Sequence, residues 1–186
     1  APQRFVHALR ALLHKPLFRY APRLNSSVMA PTKMSRNIQN LKQWLESNRD
    51  RLIGYSDVSS IGHDAIDFSR VIDNVIAGIE SGRLSAIELG ADFVIADFRS
   101  PFGKAQKCKI FNGLRRQAGY IDPDRKSQLV GLAVKGIELP YPPSELKALL
   151  KLIKAFGLPY CQSVIRSATP QSADGQRHIS YLGGRP

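Results

Sequence analysis

Between residues 37 and 160 the apolar positions recur at helical spacing, and no stretch alternates as a half-buried strand does. Ile38, Leu41, Leu45 and Leu52 fall on one face of a first predicted helix, with Trp44 beside them. Phe68, Val71, Ile72, Val75, Ile76 and Ile79 follow i, i+3, i+4, i+7, i+8, i+11, the most regular apolar stripe in the chain. Ser85-Ala86-Ile87-Glu88 has the form of a capping box and predicts a helix carrying Ile87, Ala91, Val94, Ile95 and Phe98. Leu89 and Phe93 lie opposite, so burial on two sides is expected. Ser100-Pro101 and Asp122-Pro123 are two further start signals, each a capping residue before a proline at the first helical position. The helices they open present Ile110, Phe111, Leu114 and Ala118, then Leu129, Leu132, Ala133 and Ile137. PYPP at 140–143 is a rigid stop. A last helix follows from Ser144-Glu145, with Leu146, Leu149, Leu150 and Ile153 inward and Gly157 as its C-terminal cap.

The centres of the last five predicted helices are separated by about 18 to 21 residues, which makes pairs of about 40. In that spacing, and in the stretch AIELGADFVIADFRSPFGKAQKCKIFNGLRR, residues 64–157 resemble HEAT- and armadillo-like helical-hairpin proteins. The resemblance implies binding of partners through a helical surface, and it carries no catalytic residues. The fold class is therefore all-α: five to six amphipathic helices as antiparallel hairpins, in a HEAT-like stack or a compact bundle.

The ends read differently. Residues 1–36 hold seven Lys or Arg and no acid, with Phe5, Leu9, Leu12 and Leu13 at helical spacing. That composition suits a mitochondrial transit peptide or a basic segment lying on an anionic membrane. Met29 and Met34 are candidate start positions, which makes an extended start a third reading of this arm. The helical domain is placed at 37–160. Residues 161–186 are expected to form a flexible tail, because SATPQSADGQ is rich in Ser, Gln, Gly and Pro.

Charge sharpens the picture. The formal net charge is +12, and it is segregated along the chain. Residues 46–97 carry ten acids against four basic residues, whereas residues 98–126 carry eight basic residues against Asp122 and Asp124. An excess of this size favours anionic partners. Two cysteines, Cys108 and Cys161, cannot build a disulfide framework or a four-thiolate zinc site, and they fit a reducing compartment. The expected location is cytoplasmic, or the mitochondrial matrix if the arm is a transit peptide. No run of 18 apolar residues predicts a transmembrane helix.

Candidate chemistry is sparse. Glu88 and Asp92, at i and i+4, are the carboxylates best spaced for a metal or acid–base role, yet no Glu-x-x-His pair completes a di-metal set. His63 and Asp67 are the one His–carboxylate combination in the body. Cys108 sits among Lys104, Lys107 and Lys109, and nearby cations can lower a thiol pKa, but its place near the apolar side of the helix favours a buried, inert thiol. Gly131 and Gly136 are read as sites of close helix packing. No Walker, EF-hand, zinc or dinucleotide-binding pattern is found, and no cofactor is expected. The strongest feature is a basic surface: Lys104, Lys109, Arg115 and Arg116 on one helix, Lys147, Lys151 and Lys154 as a ridge on the last. Lys107 falls on the apolar side. The expected function is a non-enzymatic interaction module binding an acidic protein. Sequence-independent nucleic-acid binding is the alternative, although no aromatic residues interleave with the cations. An enzyme or metal site at Glu88 and Asp92 is the third reading.

Overall fold

The computed structural model describes residues 43–44, 47–55, 68–97 and 103–184. Residues 1–36 lie outside this set, as do Ile38, Leu41, Leu45, His63, Asp64, Asp67, Phe98 and the Ser100-Pro101 start signal.

The described residues form eight α-helices and one short 3-10 turn, with no strand among them, so the fold is all-α. In chain order the helices are α1 (Arg49–Ile53), α2 (Phe68–Glu80), α3 (Leu84–Ile95), α4 (Gly103–Arg116), α5 (Pro123–Glu138), α6 (Leu146–Phe156), α7 (Leu158–Ser167) and α8 (Ala173–Gly183). The 3-10 turn spans Ala118–Tyr120. Helix α2 packs on α3 and α4, α3 on α4 and α5, and α4 on α6. Helix α5 packs on α6, α7 and α8, while α6, α7 and α8 all touch one another.

The apolar stripes account for this packing. Val71, Ile72, Val75, Ile76 and Ile79 of α2 are buried. Helix α3 is buried on two sides, with Ile87, Leu89, Ala91, Phe93 and Val94 all inside. Each large aliphatic chain so buried contributes about 1.5–3 kcal/mol against exposure. Small residues let α2, α3 and α4 approach closely. The Cδ1 of Ile79 lies 2.5 Å from where a Cβ on Gly90 would stand, and its Cγ2 lies 3.0 Å from that of Gly113. Ile79 therefore fills a socket made by two glycines on two helices. Gly136 similarly admits Leu146, whereas Gly131 faces open space and does not serve the close packing expected of it.

Two local signals behave differently from expectation. Ser85 does not cap α3; that helix begins at Leu84 behind Arg83, and the Ser85 hydroxyl is bonded to the Tyr55 hydroxyl at 2.6 Å instead. Asp122 does cap α5, accepting the Arg125 backbone N–H at 2.9 Å, with Pro123 in the first turn.

The C-terminal tail is a correction. Residues 158–167 and 173–183 are helical, and Cys161, Val164, Gly175 and Leu182 are buried. Gly157, at φ 106°, adopts a backbone that side chains disfavour and turns α6 directly into α7. Pro159 then occupies the first turn of α7, and Ser172 caps α8 through the Gly175 N–H at 3.1 Å. The punctuation that suggested a tail is thus the stop and start chemistry of two short helices.

Candidate functional site

The basic surface arises on two helices that pack together. Helix α4 buries Ile110, Phe111 and Leu114 and leaves Lys104, Lys109, Arg115 and Arg116 exposed. Helix α6 is built from strong helix formers, LKALLKLIKAF. It buries Leu146, Leu149, Leu150, Leu152 and Ile153, leaving Lys147 exposed and Lys151 and Lys154 half-buried. Since α4 packs on α6, the seven cations singled out from the sequence lie on neighbouring helices.

They are not equivalent. The acidic segment meets the basic one in space: Lys109 lies 3.6 Å from Asp73 and Arg116 lies 3.4 Å from Glu80, both carboxylates on α2. Arg116 is therefore paired within the chain, unlike its neighbour Arg115 among the described residues. Both pairs are exposed and hold little energy, up to about 1 kcal/mol each. Lys154 Nζ stands 4.3 Å above the Tyr181 ring of α8, so the cationic surface does have an aromatic neighbour. Among the described residues no carboxylate forms an ion pair with Lys104, Arg115, Lys147 or Lys151.

Lys107, on the apolar side of α4, is buried and reaches Asp97 at 2.5 Å rather than open solvent. Asp97 has φ 50°, a left-handed conformation that Asp tolerates, just beyond the end of α3. Beside the pair is a cavity of about 220 Å³ lined by Phe111, Leu132, Leu146 and Leu149 together with Lys135 and Glu145. The four charged groups around it balance, two of each sign.

Asp92, one of the two carboxylates spaced for a metal or acid–base role, is taken up in ion pairs. Both oxygens of Asp92 are engaged by guanidinium groups: Arg125 at 2.7 and 3.1 Å, and Arg51 at 2.9 Å. Arg125 also reaches Asp122 at 2.5 Å. These bonds, Asp92 first, raise the Arg125 pKa further, while the Arg125 backbone N–H and then its side chain hold Asp122 below the usual carboxylate range. Glu88 is half-buried, and among the described residues it forms no ion pair with a guanidinium group. Among the described residues no group of three His, Cys, Asp or Glu is placed to hold a metal ion. The Cys108 thiol is shifted upward, by burial first and by Glu145 second, opposite in direction to the lowering that nearby lysines can give.

Sequence reasoning missed three contributors. Tyr181 and His178 lie on α8, inside the supposed tail. His178 is held below its ordinary pKa by burial, reinforced by Lys147 and opposed by Asp174. Lys126 stands 5.6 Å from the Phe156 ring centre and 6.0 Å from that of Tyr160. These cation–aromatic contacts join distant segments, and only the helical character of 158–183 would have exposed them. No known protein family, curated protein or solved structure matches the chain.

Proposed function

We propose that the chain is a non-enzymatic helical interaction module that holds an acidic protein partner on the surface shared by α4 and α6. Lys104, Arg115, Lys147 and Lys151 make the contact, with Lys109, Arg116 and Lys154 at its margins. One observation carries the reading. Cations on either side of this surface are taken by carboxylates or rings of the same chain, whereas among the described residues no carboxylate forms an ion pair with these four. Arginine and lysine left in that state serve external anions, Arg by bidentate contact. A HEAT-like stack is the arrangement we favour. It is supported by the contacts of α2 to α8, in which each helix packs on the next but one, as stacked helical pairs do. A reducing, cytoplasmic setting suits its two free thiols.

The test is a quadruple reversal, Lys104→Glu, Arg115→Glu, Lys147→Glu and Lys151→Glu, assayed with poly-glutamate and with duplex DNA over a salt series. The expected result is poly-glutamate binding by the parent chain, lost in the variant with little change in melting. Capture from native lysate should persist after nuclease treatment. Capture that requires nucleic acid, with affinity falling steeply and linearly in log salt, would establish the nucleic-acid reading instead. Equal binding by the reversed variant removes this surface from consideration.

A further inference from the structure

A second surface is built by three turns. The turn between α2 and α3 holds Gly82 and Arg83 and leads into Leu84, the first residue of α3; the 3-10 turn between α4 and α5 ends at Tyr120; Gly157, between α6 and α7, leads into Leu158, the first residue of α7. Contacts join them into one edge. A Cβ on Gly82 would lie 3.7 Å from the Gln117 side chain, and Arg116 reaches Glu80. The 3-10 turn packs on α6, and Lys126 at the start of α5 stands over Phe156 and Tyr160.

At each turn one large apolar side chain is exposed. Leu84 is 54% exposed, Tyr120 68% and Leu158 66%. None of them is needed to close the core. Neighbouring helices pack about 10 Å apart, so the three helix ends that carry these side chains span roughly 20 Å. Cations lie on the same helix ends: Arg115 is exposed, Arg83 is exposed beside the Tyr55 ring, and Lys126 is half-buried beside the Phe156 and Tyr160 rings. Of the carboxylates nearby, Glu80 is paired with Arg116 and Asp122 with Arg125, which leaves Asp124 exposed.

The geometry points to this edge as a docking surface for an anionic lipid bilayer. Single exposed apolar side chains at adjacent helix ends, with cations on the same ends, fit a fluid interface. The tips enter the boundary between headgroups and acyl chains, Tyr120 sits at headgroup depth, and the cations meet lipid phosphates and carboxylates. A protein pocket would instead have to match three separated tips at once.

The intact chain is mixed with phosphatidylcholine vesicles containing phosphatidylserine, and with pure phosphatidylcholine vesicles, and bound protein is measured by flotation. The expected result is binding to the mixed vesicles, reduced about tenfold or more by Leu84→Ser, Tyr120→Ser and Leu158→Ser together, with melting unchanged. A Tyr120→Trp variant should have its new fluorescence quenched by brominated lipid. The serine variant retains residues 1–36, so undiminished binding would assign the vesicle contact to that basic arm and overturn the proposal. Absence of binding by the parent chain, or equal binding to both vesicle types, overturns it as well. Retained binding to poly-glutamate alone would leave the α4–α6 surface standing and this edge without a role.

Discussion

The Nε of Arg125 donates to the Asp92 carboxylate at 2.7 Å, across 33 residues of chain. Neither group is free to serve an outside ligand, because Arg51 holds the other Asp92 oxygen and Asp122 takes a second Arg125 nitrogen. A carboxylate that looked available for chemistry is instead the point where α1, α3 and α5 are tied together. Replacing Asp92 with Ala leaves two guanidinium groups without their acceptor, and should cost roughly 2–3 kcal/mol. Arg125→Lys should recover little, since one ammonium cannot span both carboxylates as the planar fork does. Chemical denaturation of the single variants and of the Asp92→Ala, Arg125→Ala pair measures the coupling; additive losses would deny it.

The glycine socket makes a sharper prediction. Gly90→Ala places a methyl against the Ile79 Cδ1 and should destabilise by about 1–3 kcal/mol, despite the better helix propensity of alanine. Ile79→Val removes that Cδ1, so the double variant should recover part of the loss. A Gly90→Ala protein with a raised melting temperature would show that the socket is not tight.

Acid should act through His178. Burial and Lys147 favour its neutral form in the folded chain, so its pKa lies below that of the unfolded state. The unfolded chain therefore takes the proton first, and stability falls as pH drops through about 6.5 toward the lowered folded value. His178→Gln should flatten the melting temperature over this window, while Lys147→Gln should make the dependence shallower. An unchanged slope in His178→Gln would place the acid sensitivity elsewhere.

Removing residues 158–186 should lower the melting temperature by many degrees or prevent folding. Helices α7 and α8 cover α5 and α6, and their loss would bare parts of Ile137, approached by Gly175, and Ile153, approached by Cys161. A truncated chain melting like the parent would restore the tail reading.

The long amphipathic helices were legible because each announces its buried face locally: the stripe ending at Ile79 needs no knowledge of its partners. Asp122-Pro123 and Gly157 were legible for the same reason, being local backbone chemistry. Helix α8 was not. Its buried positions are Gly175 and Leu182, with Ile179 half-buried, too few for a periodic signal, and Gly175 earns its place only by approaching the Ile137 carbonyl. The basic site was half legible. Residue type and spacing located its cations, but which of them are paired depended on Asp73 and Glu80 arriving from α2.

The nesting of Ile79 between Gly90 and Gly113 also bears on how the molecule comes apart. A side chain held by two helices at once cannot be released by either alone, so α2, α3 and α4 should open as one cooperative unit. Helix α8, with Leu182 as its one buried large side chain, has far less to lose. Native-state hydrogen exchange should therefore resolve a low-energy opening of the C-terminal helix before the concerted opening of the three. The last element of the chain would breathe, and be open to proteolysis, while the rest stays folded.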